Sequence, residues 1–389
     1  MVHYSDYVVD SRIQRQARAL AERGDEVDCI CLSDDAGFNV GAGRIRLHRA
    51  AVDKPRGGAR AYIGGNARFL AGATRLVTAL DRRRSYDIVE VHNMPDALVL
   101  AATRPKLRGV PIVLNFHDTF PELFANLFDR SPQHPLVRLV RGEERLSAAF
   151  ADCHVFVTSE ARDLLRSRGI KAPNARVVMN TPDERVFGER RRPVEPPDAG
   201  ELRVVYHGGL ADRFGVEALI RAVALLRDRG EPVVLDVYGS DETAARRLAA
   251  TASIVAPEGV RIAPKPTPVG EIPDRLARSH LGVVPTLRND FTEMLLPVKL
   301  LEYIHLGLPA VASRLGVIEH YFGDDVLLAE PGKPESIATA IETVRADPAA
   351  AKERAERASQ RLARLEWRRQ RDGYLGMIDE LAERRGGRR

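Results

Sequence analysis

The stretch LRVVYHGGLADRFGVEALIRAVALLRDRG, residues 202–230, decides the fold. It opens on a short apolar run around Val204–Tyr206, turns through His207, Gly208 and Gly209, and enters a helical pattern near Val216. A nearly continuous apolar run suits a parallel strand buried on both faces. Adjacent glycines let backbone amides approach an anion with no Cβ in the way. The helix N-terminus just beyond adds a partial positive charge, and Arg213 can reach the same anion with a planar fork. Two readings fit this local pattern: a diphosphate cradle, or a glycine turn beside a surface arginine.

The same alternation runs outward in both directions. After it, VVLDVYG, VRIAP, LGVVPT, PAVAS and DVLLAE read as strands, and IPDRLARS, PVKLLEYIHLG and ESIATAIETVRAD as helices. Ahead of it, EVDCICL, YDIVEVH, PIVLNFH and CHVFVTS read as strands, and RIQRQARALAERG as a helix ending at Gly24 in the position of a C-cap. Strands alternating with helices imply βαβ units on parallel sheets. The segment 188–200 (GERRRPVEPPDAG) has neither period and three prolines, which fits an interdomain linker. A chain of 389 residues exceeds what one core serves. The expected class is therefore α/β with two doubly wound, Rossmann-like domains, at 1–190 and 200–364. The late stretch 351–384 reads as one long charged helix carrying the only tryptophan, Trp367. Its final part, 365–389, is expected to cross back to the first domain.

Composition narrows the function. Forty-four per cent apolar and 29 per cent charged residues fit an ordinary globular protein. No uncharged apolar stretch is long enough to span a membrane, and the first residues lack a signal-peptide pattern, so cytoplasmic residence is expected. The formal charge of +5 allows anionic partners, but no nucleic-acid-binding motif is present. Cys29, Cys31 and Cys153 have no metal or redox spacing and read as small buried residues. The stretch 59–84 pairs arginines with an apolar face. It either lies on anionic lipid at the inner face of the membrane or packs on the sheet.

Parallel sheets place ligands beyond the carboxyl ends of their strands, and polar clusters stand there. In PVKLLEYIHLG, Lys299, Glu302 and Leu306 share a helix face. An ammonium at Lys299, near a helix N-terminus, is unfavourable unless an anion sits there. Glu302 can accept from vicinal ribose hydroxyls; the plain alternative is an intrahelical Lys–Glu pair. In the first half, PIVLNF ends in His117, Asp118 and, four residues on, Glu122, while VEVH ends in His92, Asn93 and Asp96. These read as one wall of a ligand site, or as helix caps by Asp118 or Asp96.

Taken together, HNMPD (92–96), HDTFPE (117–122), YHGGLADRFG (206–215), TEMLLPVKLLEY (292–303) and MNTPDERVF (179–187) resemble glycosyltransferase family 4, the group 1 retaining glycosyltransferases of the GT-B fold. The resemblance covers nearly the whole chain. It implies two Rossmann-like domains facing each other across a cleft, with a nucleoside-diphosphate sugar, UDP by the family's habit, on the second and a glycan, lipid-linked or small-molecule acceptor on the first. It implies donor contacts from Gly208, Gly209, Arg213, Lys299, Leu300 and Glu302. His117 would lie near the transferred sugar, and His117, Arg213 and Lys299 would act in catalysis. Asp10, Arg12, His92, Asn93, Asp118 and Glu122 fall on the acceptor side. Arg213 and Lys299 would take the place of a metal, and there is no Asp-x-Asp motif. The sequence departs from the family twice. The glutamate eight positions before the ribose-binding one is replaced by Met294, with Glu293 one place off as the expected substitute. The chain also opens at MVHYSDY, inside the fold's first strand, so residues are expected ahead of it. Two other readings share this architecture: a non-hydrolysing sugar-nucleotide 2-epimerase, and a non-catalytic nucleotide-sugar-binding subunit, which Met294 would suit.

Overall fold

The computed structural model describes residues 1–7, 10–32, 43–50, 59–172, 174–191, 194–197 and 199–386. They form two compact units, one of Met1–Asn180 with Trp367–Arg389 and one of Thr181–Glu366. The division falls at residue 180 rather than 190. Arg191 N–H donates to His305 O and Val194 N–H to Gly307 O, which ties both residues to the second unit.

The first unit holds seven parallel strands: β1 (Val2–His3), β2 (Val27–Cys31), β3 (Ile45–Arg49), β4 (Val89–His92), β5 (Ile112–Phe116), β6 (Cys153–Phe156) and β7 (Ala175–Val177). Their order is β3-β2-β1-β4-β5-β6-β7. Every residue of β2, β4, β5 and β6 is buried. The outer strand β3 buries only Ile45, so its sequence lacks the apolar run that marks the inner strands. The second unit holds β8 (Leu202–Gly208), β9 (Val233–Gly239), β10 (Val260–Ile262), β11 (Leu281–Val284), β12 (Ala310–Ser313) and β13 (Leu327–Ala329), in the order β10-β9-β8-β11-β12-β13, again all parallel. In each sheet the order reverses direction beside its first strand, between β1 and β4 and between β8 and β11. A doubly wound sheet opens its ligand crevice at that point.

Local sequence explains the elements. The helix Ser11–Arg23 begins at Asp10, whose carboxylate accepts from Arg12 N–H, and ends at Gly24 with φ of 111°, a left-handed geometry that favours glycine. The helix Val216–Asp228 buries Leu219, Ile220, Val223 and Leu226, a stripe of helical spacing, in the second core. Gly215 starts it with φ of 68°, and a Cβ there would stand 1.9 Å from Pro285 O; no other residue fits.

Two expectations change. The late helix is two helices, Pro348–Leu365 and Trp367–Gly386, separated at Glu366, whose ψ of 148° is extended. The stretch 59–84 is the helix Ala59–Arg84, but its apolar residues Phe69, Ala73 and Val77 are buried in the first core. That stripe packs within the protein and is not open to lipid. Among the described residues no helix is long and apolar enough to cross a membrane.

The helix Trp367–Gly386 belongs to the first unit's core. Tyr374, Met377, Ile378 and Leu381 pack with Ile13, Ala17, Cys29 and Cys31. Tyr374 OH donates to Glu90 Oε2 at 2.7 Å, and Asn115 Nδ2 donates to Glu90 Oε1 at 2.7 Å, all three residues being buried. Burial pushes Glu90 above the usual carboxylate range, against the pull of these two donors. Tyr374→Phe removes one of them and is expected to lower stability by about 1–3 kcal/mol. Urea unfolding measures this, and an unchanged midpoint would show that the contact adds nothing to the unit.

Candidate active site

In the second unit the chemistry gathers where β8 ends. Lys299 stands in the first turn of the helix Val298–His305. Its Nζ donates to Tyr206 OH at 2.6 Å, and Tyr206 OH donates to Gly209 O at 2.5 Å. The ammonium also lies 4.2 Å from the Tyr206 ring centre and 4.6 Å from that of Phe214. Arg213 lies 4.7 Å from the same Phe214 ring. Two cations therefore share one aromatic ring, and ring faces attract cations. The glycines make this packing possible. A Cβ on Gly209 would meet Phe214 Cε2 at 2.5 Å, and Gly208, with φ of 104°, has Lys299 3.4 Å from where its Cβ would stand.

Glu302 follows one turn after Lys299. Its Oε2 lies 3.0 Å from His207 Nε2, and Lys299 forms no ion pair with it. The intrahelical Lys–Glu pair is thus not what this helix forms. Desolvation pulls Lys299 down to about 7, with Glu302 opposing and Arg213 adding to the drop. A partly neutralised ammonium beside a guanidinium, at a helix N-terminus, is an electrostatic arrangement waiting for an anion. Leu300 is fully buried and packs in the interior, so its side chain is not on offer to a ligand.

In the first unit the ends of β1, β4 and β5 surround a cavity of about 330 Å³ lined by His3, Asp10, Arg12, His92, Asn93, His117 and Asp118, among others. His92 Nδ1 and His117 Nε2 are 2.9 Å apart, and the rings stack at 5.1 Å. Burial holds both well below the ordinary histidine range, with neighbouring positive charge adding to it, so both are neutral at neutral pH. The far nitrogens, His92 Nε2 and His117 Nδ1, are buried without a partner. Asn93 ties the two strand ends together: its Oδ1 accepts from His117 N–H at 2.8 Å, and its Nδ2 donates to Asp96 Oδ1 and Asp118 O, each at 2.8 Å. Asp10 pairs with Arg12 through two contacts of 2.9 Å. Burial works against the Asp10 carboxylate, yet Arg12 holds it well below the usual range. A second chain of contacts runs from His3 Nδ1 to Ser5 Oγ at 3.0 Å and on to Asp10 at 3.2 Å.

Two expected residues lie elsewhere. Glu122 does not line this cavity; it is buried and bound to Arg168, with Arg141 3.5 Å away. It points there because it sits in the first turn of the helix Phe120–Leu127, which packs against Pro135–Phe150 rather than over the cavity. Glu293 is occupied too: Oε1 lies 2.9 Å from Arg288 Nε, and Oε2 accepts from Gly316 N–H at 2.8 Å. Sequence reading also misses Tyr206, Phe214, His3, Ser5 and Tyr62. Tyr206 carries the only usable signal, a hydroxyl at the end of an otherwise aliphatic strand.

Residues 9–181 match the model of the glycosyl transferase 4-like domain. Residues 201–347 match that of glycosyl transferases group 1. The chain belongs to the group 1 glycosyltransferases. Its fold is that of GT-B enzymes across nearly the full length. Sucrose-phosphate synthase from Thermosynechococcus elongatus superposes with a TM-score of 0.72 at 18% identity, covering 99% of this chain and 97% of that one. Anabaena HepE in complex with UDP-glucose gives 0.69 at 16% identity, covering 99% of each chain. An α,α-trehalose-phosphate synthase (UDP-forming) from Burkholderia vietnamiensis gives 0.69 at 16% identity, covering 98% of each. No curated protein matches the sequence significantly.

The pH behaviour of this glycosyltransferase follows from Lys299. Its proton is held less tightly in the folded protein, at about 7, than in the unfolded chain, at 10.5. Between those values the unfolded chain carries more protons, so the empty enzyme gains stability as pH rises. A bound diphosphate has the opposite preference, since it restores the charged amine. UDP affinity is therefore expected to fall as pH rises from about 7 to about 9, with uptake of up to one proton on binding. Calorimetry in buffers of different ionisation enthalpy measures both. Lys299→Met should remove the slope; a slope that survives this change would place Lys299 away from the anion.

Proposed function

We propose that this glycosyltransferase moves a sugar from a nucleoside-diphosphate sugar, a UDP-sugar, to a hydroxyl of a glycan, lipid-linked or small-molecule acceptor, with retention at the anomeric carbon. The observation that carries the reading is the convergence of Lys299 and Arg213 on one Phe214 ring, beside the glycine turn and one helical turn from Glu302. Two cations fixed by packing suit a diphosphate, whose charge grows as the sugar–oxygen bond breaks. Glu302, whose Oε2 lies 3.0 Å from His207 Nε2, would accept from the ribose hydroxyls. A UDP-glucose complex of HepE and the UDP-forming trehalose-phosphate synthase, both of the same fold, support the choice of nucleotide.

The neutral histidines of the first unit suit the other end of the reaction. His117 can share a hydrogen bond with a sugar hydroxyl without adding charge, through the nitrogen that has no partner. His92 and Asn93 hold His117 in place and act as positioning residues. In the proposed step the bond from the anomeric carbon to the β-phosphate oxygen breaks, and a bond to the acceptor oxygen forms on the same face. The acceptor proton passes to the departing phosphate oxygen. Arg213 and Lys299 stabilise the leaving group, so the proposed chemistry asks for no metal.

Labelled nucleotide sugars offered with a panel of acceptors test this. Acceptor-dependent release of UDP and a product with the donor's anomeric configuration, read by NMR, are expected. An inverted product would end the retaining mechanism, a new sugar nucleotide formed without acceptor would establish an epimerase, and binding with no turnover would mark a non-catalytic subunit. Arg213→Ala and Lys299→Ala are each expected to lower kcat by roughly 100–1000-fold, the scale of losing one preorganised charge donor.

A further inference from the structure

The helix Pro135–Phe150 turns an unusual face to solvent. Its inner side is conventional: Val137 and Val140 pack with Phe120 and Phe124, and with Met94 and Tyr62 of the histidine cavity. Its outer side carries Leu139, 69% exposed, and Leu146, 74% exposed. These are seven residues apart and lie on one stripe. Arg138 and Arg145, also seven apart, are exposed beside them. Single exposed leucines are ordinary; two in register on an arginine-bearing stripe are not.

The acids of the same helix face inward. Glu143 accepts from Ala97 N–H. Glu144 is buried and lies 2.9 Å from Arg168. The outward face therefore keeps its arginines and hides its carboxylates. Arg138, Arg141, Arg145 and Arg168, with Glu144 among them, line a depression of about 460 Å³ on this helix. Arg168 is committed to Glu122 and Glu144 and Arg141 to Glu122, which leaves Arg138 and Arg145 as the exposed cations of this face.

We propose that the outer face of Pro135–Phe150 rests on an anionic lipid surface, with Leu139 and Leu146 in the acyl boundary and Arg138 and Arg145 on headgroup phosphates. Apolar anchors flanked by arginines are what an interfacial helix needs, and the cations match the negative potential of such a membrane. A second copy of the chain is a poor fit, because the same arginines would face one another across the contact. In this orientation the inner side of the helix, through Met94 and Tyr62, brings the histidine cavity close to the lipid. A lipid-linked acceptor then follows; that last step rests on the acceptor reading of the cavity, whereas the membrane contact does not.

Sedimentation of the full chain with vesicles tests the contact. Binding is expected to phosphatidylcholine mixed with phosphatidylglycerol, not to phosphatidylcholine alone, and to disappear at high salt. The double change Leu139→Gln with Leu146→Gln should weaken it about tenfold, and Arg138→Gln with Arg145→Gln about 25-fold. UDP binding and thermal unfolding of both variants should match the parent, which separates loss of the surface from loss of fold or of the donor site. Absence of binding by the parent at low salt overturns the proposal and leaves an acidic protein as the partner. Undiminished binding by the leucine variant also overturns it and points to other basic residues. A concentration-dependent dimer abolished by the leucine change would assign the face to a second copy instead.

Discussion

The second unit is organised around a half-buried ammonium whose charge desolvation disfavours. Lys299 is held by one hydroxyl and two ring faces, a weaker environment for a cation than a carboxylate. That weakness shapes its surroundings. Phe214 must reach the amine, so the chain at Gly209 has no side chain to block the ring. The turn that carries Phe214 must then re-enter a helix against the Pro285 carbonyl, which only Gly215 allows. Tyr206, near the end of β8, must turn its hydroxyl to the amine. Glycines, aromatics and strand end thus follow from one requirement, the packing of this amine against a hydroxyl and two rings.

The first unit solves a different problem with similar topology. Its strand ends present imidazoles that burial keeps neutral, and the Asp10 carboxylate beside them is matched by Arg12. Hydrogen bonds and shape do the work there. A diphosphate needs fixed positive charge, whereas a sugar hydroxyl needs a donor or acceptor that does not attract water. The two sheets, with the same order on either side of the reversal point, supply one environment each.

Much of this is legible in the sequence, for reasons that particular residues show. Strands buried on both faces, such as Ile112–Phe116, announce themselves as apolar runs. The turn at 206–215 is visible because glycine and arginine are conspicuous in such a place. The lysine helix is visible because a cation in a first helical turn is anomalous. What escapes is set by direction and contact. Tyr206 reads as core because its hydroxyl's destination lies 93 residues away at Lys299. Glu122 sits beside His117 in sequence, yet its helix turns it towards Arg168. The stretch 59–84 and the helix Pro135–Phe150 look alike as patterns of leucine and arginine. Only packing shows that the first buries its apolar stripe and the second leaves leucines outside. The break at Glu366 has no proline or glycine to mark it.

Glu293, the expected substitute for the family's glutamate, is held by its neighbours. Both its oxygens are engaged, one by Arg288 and one by the amide of Gly316, where the helix Gly316–Phe322 begins. The ion pair with Arg288 joins side chains that are 28% and 52% exposed, and pairs so exposed contribute about 0–1 kcal/mol. A charge-assisted bond to a helix-end amide is worth more, roughly 1.5–3 kcal/mol. The Arg288 contact is therefore the weaker of the two, and the amide of Gly316 is what fixes the Glu293 carboxylate.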